Sequence, residues 1–261
     1  MATNLFDVSG KVAVVTGGAR GIGAMICESL VANGADVVVV SRKAAGCAQF
    51  CDALNGRGHR AKATWVSADL SSDAECKRAA DEIAKSHKAV HVLINNSGCN
   101  WGAPLDAYPW NAFDKVFRLN VFGVFALTKY LLPLLCNAGG DGDPARVINI
   151  GSVNGIAVPH LETYAYSTSK AALHHLTKVL ASQLAAKNIT VNAVAPGPFE
   201  TDMMRATLKS NPLIVKGIPL RRLGRADDMA GAVLYLCSRS SAYVTGALLP
   251  VDGGALVSPK M

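Results

Sequence analysis

The sequence predicts an α/β fold, a doubly wound sheet of seven parallel strands with helices on both faces. Two observations carry that expectation. Short β-branched runs alternate with longer segments whose apolar residues recur three and four apart, the pattern of successive βαβ units. No linker rich in Pro, Gly or Ser and no internal repeat divides the 261 residues, so one domain spanning 1–261 is expected. Composition agrees: 50% hydrophobic against 17% charged residues supplies a large core and excludes a disordered tail or a disulfide-stapled miniprotein.

The elements follow in chain order. Val12–Thr16 is the first β-branched run, and Gly23–Asn33 after it has helical periodicity. Ala35–Val40 and Ala63–Val66 read as the second and third strands, Ser72–His87 as a helix and Val90–Asn95 as the fourth strand. Trp110–Cys136 is a long helical stretch leading to the turn Asn137–Pro144, whose three glycines and two aspartates favour exposed, non-repetitive backbone. Arg146–Ile150, the helix Tyr164–Lys187 and Ile189–Val194 continue the alternation, and Ala226–Cys237 with Leu248–Val251 completes it. Right-handed crossovers place the helices on alternating faces. Phe199–Leu223 is less regular and follows Pro196-Gly197-Pro198, so 199–223 is a candidate mobile flap over a substrate site; the alternative is a structural excursion.

Charge and cysteine usage narrow the function class. The 26 Lys and Arg against 19 Asp and Glu give +7, which favours anionic small molecules or carriers, while no basic run forms a nucleic-acid footprint. No apolar stretch reaches 18 residues without a charge, so no membrane span is expected; Phe117–Cys136 carries Arg118 and Lys129. The start MATNLFDVSGK shows no secretory pattern, and SPKM at the end is a poor match to a peroxisomal address. Seven scattered cysteines without a CxxC pair fit a reduced, cytoplasmic compartment and read mostly as small buried hydrophobes, with Cys99 as packing or pocket lining. His174 and His175 tempt a metal assignment, but adjacent residues do not share a helix face and no third ligand is suitably spaced, so no metal is expected.

The first strand runs straight into Thr16-Gly17-Gly18-Ala19-Arg20-Gly21-Ile22-Gly23. Gly17, Gly21 and Gly23 let the turn tighten and bring backbone N–H groups and a helix start to a diphosphate, the arrangement of a Rossmann fold. Residues 16–23 match TGxxxGxG, and with them the chain from about Lys11 to Gly254 resembles the classical short-chain dehydrogenase/reductase family. That resemblance implies that Asp69, with Leu70 beside it, contacts adenine. It also implies that Asn95-Asn96-Ser97-Gly98 stands for the family's NNAG, with Ser97 where Ala is usual. The second strand ends in Val40-Ser41-Arg42-Lys43, where an NAD-selective pocket usually offers a carboxylate. Ser41 and Arg42 instead suit a 2′-phosphate, and Arg20 adds a second positive group, so NADP(H) is the expected cofactor. The alternative is that both arginines face solvent.

At the reacting end, Tyr166-Ser167-Thr168-Ser169-Lys170 puts a phenol and an ammonium on one helix face. Lys170 is expected to lower the phenol pKa while Tyr166 gives a proton to a developing alkoxide. Ser152, after the fifth strand, can hold a substrate carbonyl. The resemblance joins Ser152 to Tyr166 and Lys170, has Lys170 hold the nicotinamide ribose, and adds Asn120 as support for a water connected to Lys170. Asn120 interrupts an apolar helix, and its alternative role is local helix hydrogen bonding. Pro196, Gly197 and Thr201 match the family segment beside the nicotinamide; a turn with a cap at Thr201 is compatible with that role.

The expected substrate lining is Ser97, Cys99, Trp101, Asn154, Ile156, His160, Phe199, Met203 and Met204, suited to an acyl or aromatic ketone rather than a phosphorylated sugar. Arg146–Ser152 and Ala193–Thr201 are similar to 3-oxoacyl thioester reductases, which makes NADPH-dependent 3-oxoacyl reduction the first specific expectation. The alternatives are an NADP(H)-linked reductase of a secondary-metabolite ketone, quinone, sugar or other alcohol, and a non-catalytic dinucleotide-sensing protein. Apolar residues beyond the helical stripes at Tyr130–Leu135 and Leu173–Leu184 match long helices that in the family form a dimer face. A homodimer or homotetramer is therefore expected, the alternative being burial of these residues within one subunit.

Overall fold

In a computed structural model, residues 4–140, 142–159, 161–201, 204, 208 and 212–258 are described. The strands are β1 (Val12–Thr16), β2 (Asp36–Ser41), β3 (Ala63–Ser67), β4 (Val92–Asn95), β5 (Ala145–Ile150), β6 (Ile189–Pro196) and β7 (Leu248–Val251). They pair in the order β3-β2-β1-β4-β5-β6-β7, every pairing parallel. The order reverses between β1 and β4, and a doubly wound sheet opens its ligand crevice at the carboxyl ends of the strands there.

Among the described residues the α-helices are α1 (Gly21–Ala32), α2 (Ala44–Asn55), α3 (Asp73–Ser86), α4 (Trp110–Phe117), α5 (Gly123–Ala138), α6 (Tyr164–Leu184) and α7 (Ala226–Cys237). Because successive strand side chains point to opposite faces, the strands feed two separate cores. Ala13, Val15, Val37, Val39 and Ile94 pack with Ile26, Leu30, Leu54 and Val233 of α1, α2 and α7. Val14, Val38, Leu93 and Val147 pack with Ile83, Leu127, Leu131 and Leu180 of α3, α5 and α6.

Three features depart from the expected layout. The helix α2 lies in a stretch for which no element is expected above; Cys47, Cys51 and Leu54 form its buried stripe, so the cysteines do act as small hydrophobes there. The long stretch from Trp110 is not a uniform helix but α4 and α5 joined through a π-helical turn, Arg118–Phe122. The expected turn at 137–144 starts late, since α5 runs to Ala138. Its Asp143 pairs with Lys11 at 2.8 Å and with the fully buried Arg146 at 2.9 Å, tying the starts of β1 and β5 together.

The run Trp110–Ala138 is long and apolar enough, by length and composition, to cross a membrane. Here its Val116, Leu127, Leu131 and Leu135 are core residues. Gly123 lies so close to the loop after β3 that a Cβ there would stand 2.1 Å from the Leu70 carbonyl oxygen.

Candidate active site

The glycine loop is shaped by its own contacts. Gly17 and Gly21 take φ of +64° and +53°, the left-handed region that glycine enters without strain. A Cβ on Gly23 would meet the Gly17 carbonyl oxygen at 2.3 Å, so α1 can begin directly against the loop only with glycine there. The end of β4 clamps the same loop. Asn96 Nδ2 donates to the Thr16 carbonyl at 2.8 Å, and the backbone N–H groups of Asn96 and Ser97 donate to Thr16 Oγ1 at 2.9 and 2.8 Å. Asn96 and Ser97 thus hold the cradle, and Thr16, read from sequence only as part of the motif, is the hub of that clamp.

At the other expected cofactor positions, Arg20 is the exposed N-cap of α1, whose first turn, with Ile22, carries no acidic residue and leaves its positive dipole end uncompensated. Ser41 closes β2, and Arg42 after it is exposed, with its carbonyl accepting from Ser67 Oγ at 3.1 Å. Asp36 sits at the opposite end of β2 and accepts from Lys62 N at 2.8 Å. Asp69 turns its carboxylate onto Ser71, at 3.1 Å to N and 2.8 Å to Oγ, and Leu70 is buried in the core. Gly197 N donates to the Val251 carbonyl at 3.0 Å, which sets the Pro196–Gly197 loop against β7. Thr201 Cγ2 is the nearest atom a Cβ on Gly21 would meet, at 3.5 Å, and Thr201 Oγ1 accepts from Met204 N at 3.2 Å, the cap-like bond expected of it.

The four expected reacting residues converge. Lys170 Nζ, buried in α6, donates to the Ile150 carbonyl at 2.7 Å and lies 5.6 Å from the Tyr166 ring centroid. Ser152 leaves β5 two residues later, its Oγ accepting from Asn154 N at 3.1 Å. Asn120 sits on the π-helical turn, a geometry that recurs at functional sites. Its amide accepts from Cys99 N at 2.9 Å and donates to the Cys99 carbonyl and Ser169 Oγ at 3.0 Å, so it bonds across the fold rather than within its helix. Gly98 passes between Asn120 and Lys170: a Cβ there would be 3.4 Å from Asn120 Oδ1 and 3.6 Å from Lys170 Nζ.

Burial sets the electrostatics. It lowers Lys170 from its ordinary value to about 8. The lowering expected for Tyr166 is not what prevails: burial raises the phenol, against a hydrogen bond with Ser152 that lowers it. Burial also raises the Cys99 thiol against the pull of Lys115, Arg42 and Lys170, which fits a neutral lining residue.

On the substrate side, Asn154 is half-buried beside Ser152, Ile156 is exposed, and Trp101 lies under Lys115 at 5.1 Å. Phe199 is only 3% exposed and packs in the core, with Gly224 so close that a Cβ there would meet the ring at 2.6 Å, and it borders a cavity shared with Leu220, Arg222 and Asp252. Glu200 N donates to the Gly224 carbonyl and Gly224 N to Pro198, so Phe199 closes the base of the excursion. His160 and Met203 lie outside the described residues. Sequence reasoning missed Tyr108, whose hydroxyl donates to the Trp101 carbonyl and accepts from Ala165 N, each at 3.2 Å, fastening the loop after β4 to α6. Tyr108 carried no motif, so only its aromatic neighbours Phe113 and Tyr164 could have marked it.

A family model described as Enoyl-(Acyl carrier protein) reductase matches residues 17–255, from the glycine loop to the end of β7 and beyond. The chain is a short-chain dehydrogenase/reductase. Within this family it is 41% identical over 253 residues to a Pseudomonas aeruginosa protein named rhamnolipids biosynthesis 3-oxoacyl-[acyl-carrier-protein] reductase, covering 95% of this chain and 97% of that one. It is 32% identical over 251 residues to an Escherichia coli 7alpha-hydroxysteroid dehydrogenase, covering 95% of each. Among solved structures, this short-chain dehydrogenase/reductase superposes on the Pseudomonas aeruginosa RhlG/NADP active-site complex with a TM-score of 0.91 at 41% identity, covering 97% of this chain and 98% of the other.

Proposed function

We propose that this chain is an NADPH-dependent carbonyl reductase that reduces a 3-oxoacyl thioester to the secondary alcohol. The observation that carries the reading is the meeting of Ser152, Tyr166 and Lys170 beside a glycine cradle whose second strand ends in Ser41-Arg42. The residues fit the cofactor: Gly17, Gly21 and Gly23 leave a side-chain-free cradle at a helix start, and Arg20 and Arg42 provide exposed guanidiniums for a 2′-phosphate. NADPH, when bound, supplies the hydride that reaches the carbonyl carbon.

The chain's own residues do the rest. Ser152 donates a hydrogen bond to the carbonyl oxygen and Tyr166 gives that oxygen its proton as the alcohol forms. The raised phenol pKa keeps the proton on Tyr166 until the oxygen becomes basic, and the Lys170 ammonium beside the ring favours the phenolate left behind. Asn120 fixes the strand-end backbone at Cys99 that passes Lys170. The names of the Pseudomonas relatives support an acyl thioester and NADP, while the Escherichia coli relative supports a second reading, reduction or oxidation of a bulkier ketone–alcohol pair on the same residues. Carrier linkage, a cytoplasmic setting, a flap at 199–223 and a homodimer or homotetramer belong to the first reading.

The test is NADPH and NADH oxidation by the purified protein against acetoacetyl thioester, a longer 3-oxoacyl thioester, a quinone and a diketone. Thioester turnover with NADPH is expected, with loss in Tyr166→Phe. Turnover confined to another carbonyl would replace the substrate class and keep the mechanism.

A further inference from the structure

His174 is buried in α6, one turn beyond Lys170, while its neighbour His175 is exposed. The mechanism above does not use it, yet it lies against the segment that presents Ser152. Ser152 N–H donates to His174 Nε2 at 3.4 Å, a long contact that requires a lone pair on that nitrogen. The other ring nitrogen then carries the proton. The two glycines that flank Ser152 are shaped around the same ring. A Cβ on Gly151 would stand 2.1 Å from His174 Nε2, and one on Gly155 would stand 2.8 Å from Cε1. Ser152 itself is extended, and its Oγ is aimed by Asn154 N.

We propose that His174 is a positioning residue for Ser152: its neutral imidazole accepts the Ser152 N–H and holds the Gly151–Gly155 turn against α6, fixing the serine hydroxyl relative to Tyr166. The inference rests on the reductase reading for its kinetic consequence and on geometry alone for its structural one. Burial, with Lys170 and Lys178 nearby, lowers the His174 pKa to about 4 against the opposing pull of the Gly155 backbone, which keeps Nε2 free to accept. A small displacement of an aligned hydroxyl is enough to cost rate, because proximity effects fall steeply with misplacement.

The experiment compares the full-length wild type with His174→Gln, which keeps a polar group at the reach of Nε2, and His174→Leu, which keeps bulk without it. With NADPH and acetoacetyl thioester, kcat in His174→Leu is expected to fall about 10-fold or more, with NADPH affinity from fluorescence titration within about 2-fold; His174→Gln is expected to recover kcat to within about 3-fold of wild type. Wild-type kcat in a folded His174→Leu, or equal loss in folded Gln and Leu variants, overturns the proposal. A second measurement does not depend on turnover. Nitrogen-15 histidine spectra, with His174 assigned by its loss in His174→Gln, are expected to show a neutral ring protonated at Nδ1 at pH 7. Protonation at Nε2 overturns the proposal even if His174→Leu does not fold. Should the wild type fail to reduce the thioester, the substrate reading falls and the tautomer still decides the role of His174.

Discussion

At the scale of single residues, burial moves two pKa values apart at the candidate site. Lys170, lowered to about 8, loses its charge as pH rises through that value, while the raised Tyr166 phenol keeps its proton beyond it. The expected kcat profile therefore falls on the alkaline side with an apparent pKa near 8, and the loss belongs to Lys170. In Lys170→Arg, whose guanidinium stays charged, whatever turnover remains is expected to lose that limb; a limb that persists near 8 assigns it elsewhere. Arg42→Asp tests the other end. A carboxylate facing the adenosine ribose repels a 2′-phosphate, so the ratio of NADPH to NADH affinity is expected to drop by about 10-fold or more, read by fluorescence titration. The nearness of Tyr166 and Lys170 was legible in the sequence because four-residue spacing places them on one helix face, and the composition of Ser41-Arg42 leaves no acid at the end of β2. The depth of Phe199 was not, since an aromatic beside a Pro-Gly-Pro turn reads alike whether it stands exposed or, as here, packs against Gly224.

At the scale of elements, close backbone approaches fix where the reacting residues stand, and these leave little trace in a pattern of apolar residues. The strands were legible because β-branched runs such as Val37–Val40 signal them directly, and their parallel direction, though not their order, followed from the alternation with helices. By contrast, α2 escaped because Ala, Gly and Cys make a weak stripe, and the π-helical turn at Asn120 has no sequence signal apart from that polar interruption. Gly123 shows what such an approach costs to disturb. Gly123→Ala drives a methyl group toward the Leu70 carbonyl and pushes α5, with the turn that carries Asn120, away from the strand ends. Overpacking of this kind costs about 1–3 kcal/mol. Thermal unfolding should show a lower Tm and, because Asn120 moves with the helix, a fall in kcat. An unchanged Tm would mean that the helix shifts freely and that this contact does not set the site.

At the scale of the whole molecule, the same two helices that carry the site leave an apolar face outside it. Phe122 is 57% exposed and Phe125 49%, and both line a groove with Leu70, Ala126 and Leu176 that Asp73 and Arg118 also border; Val179 on α6 is 45% exposed. Contiguous exposed apolar surface of this kind marks an association site, and a two-fold axis would set each such patch against its own copy. Asn120 and Phe122 share one turn, the first buried in the site and the second on the outer face, so pairing of copies would brace the turn from outside while Cys99 and Ser169 hold it from inside. The wild type is accordingly expected to sediment as a dimer or tetramer. In Phe125→Glu a carboxylate would meet its symmetry mate or be stripped of water, so the distribution should move to smaller species with an unchanged circular dichroism spectrum. Kinetics at the same concentrations then separate two consequences of that shift. A loss of kcat that follows dissociation would show that the pair holds Asn120 in place, whereas full activity in the smaller species would leave the α4–α5 turn braced by its internal hydrogen bonds alone.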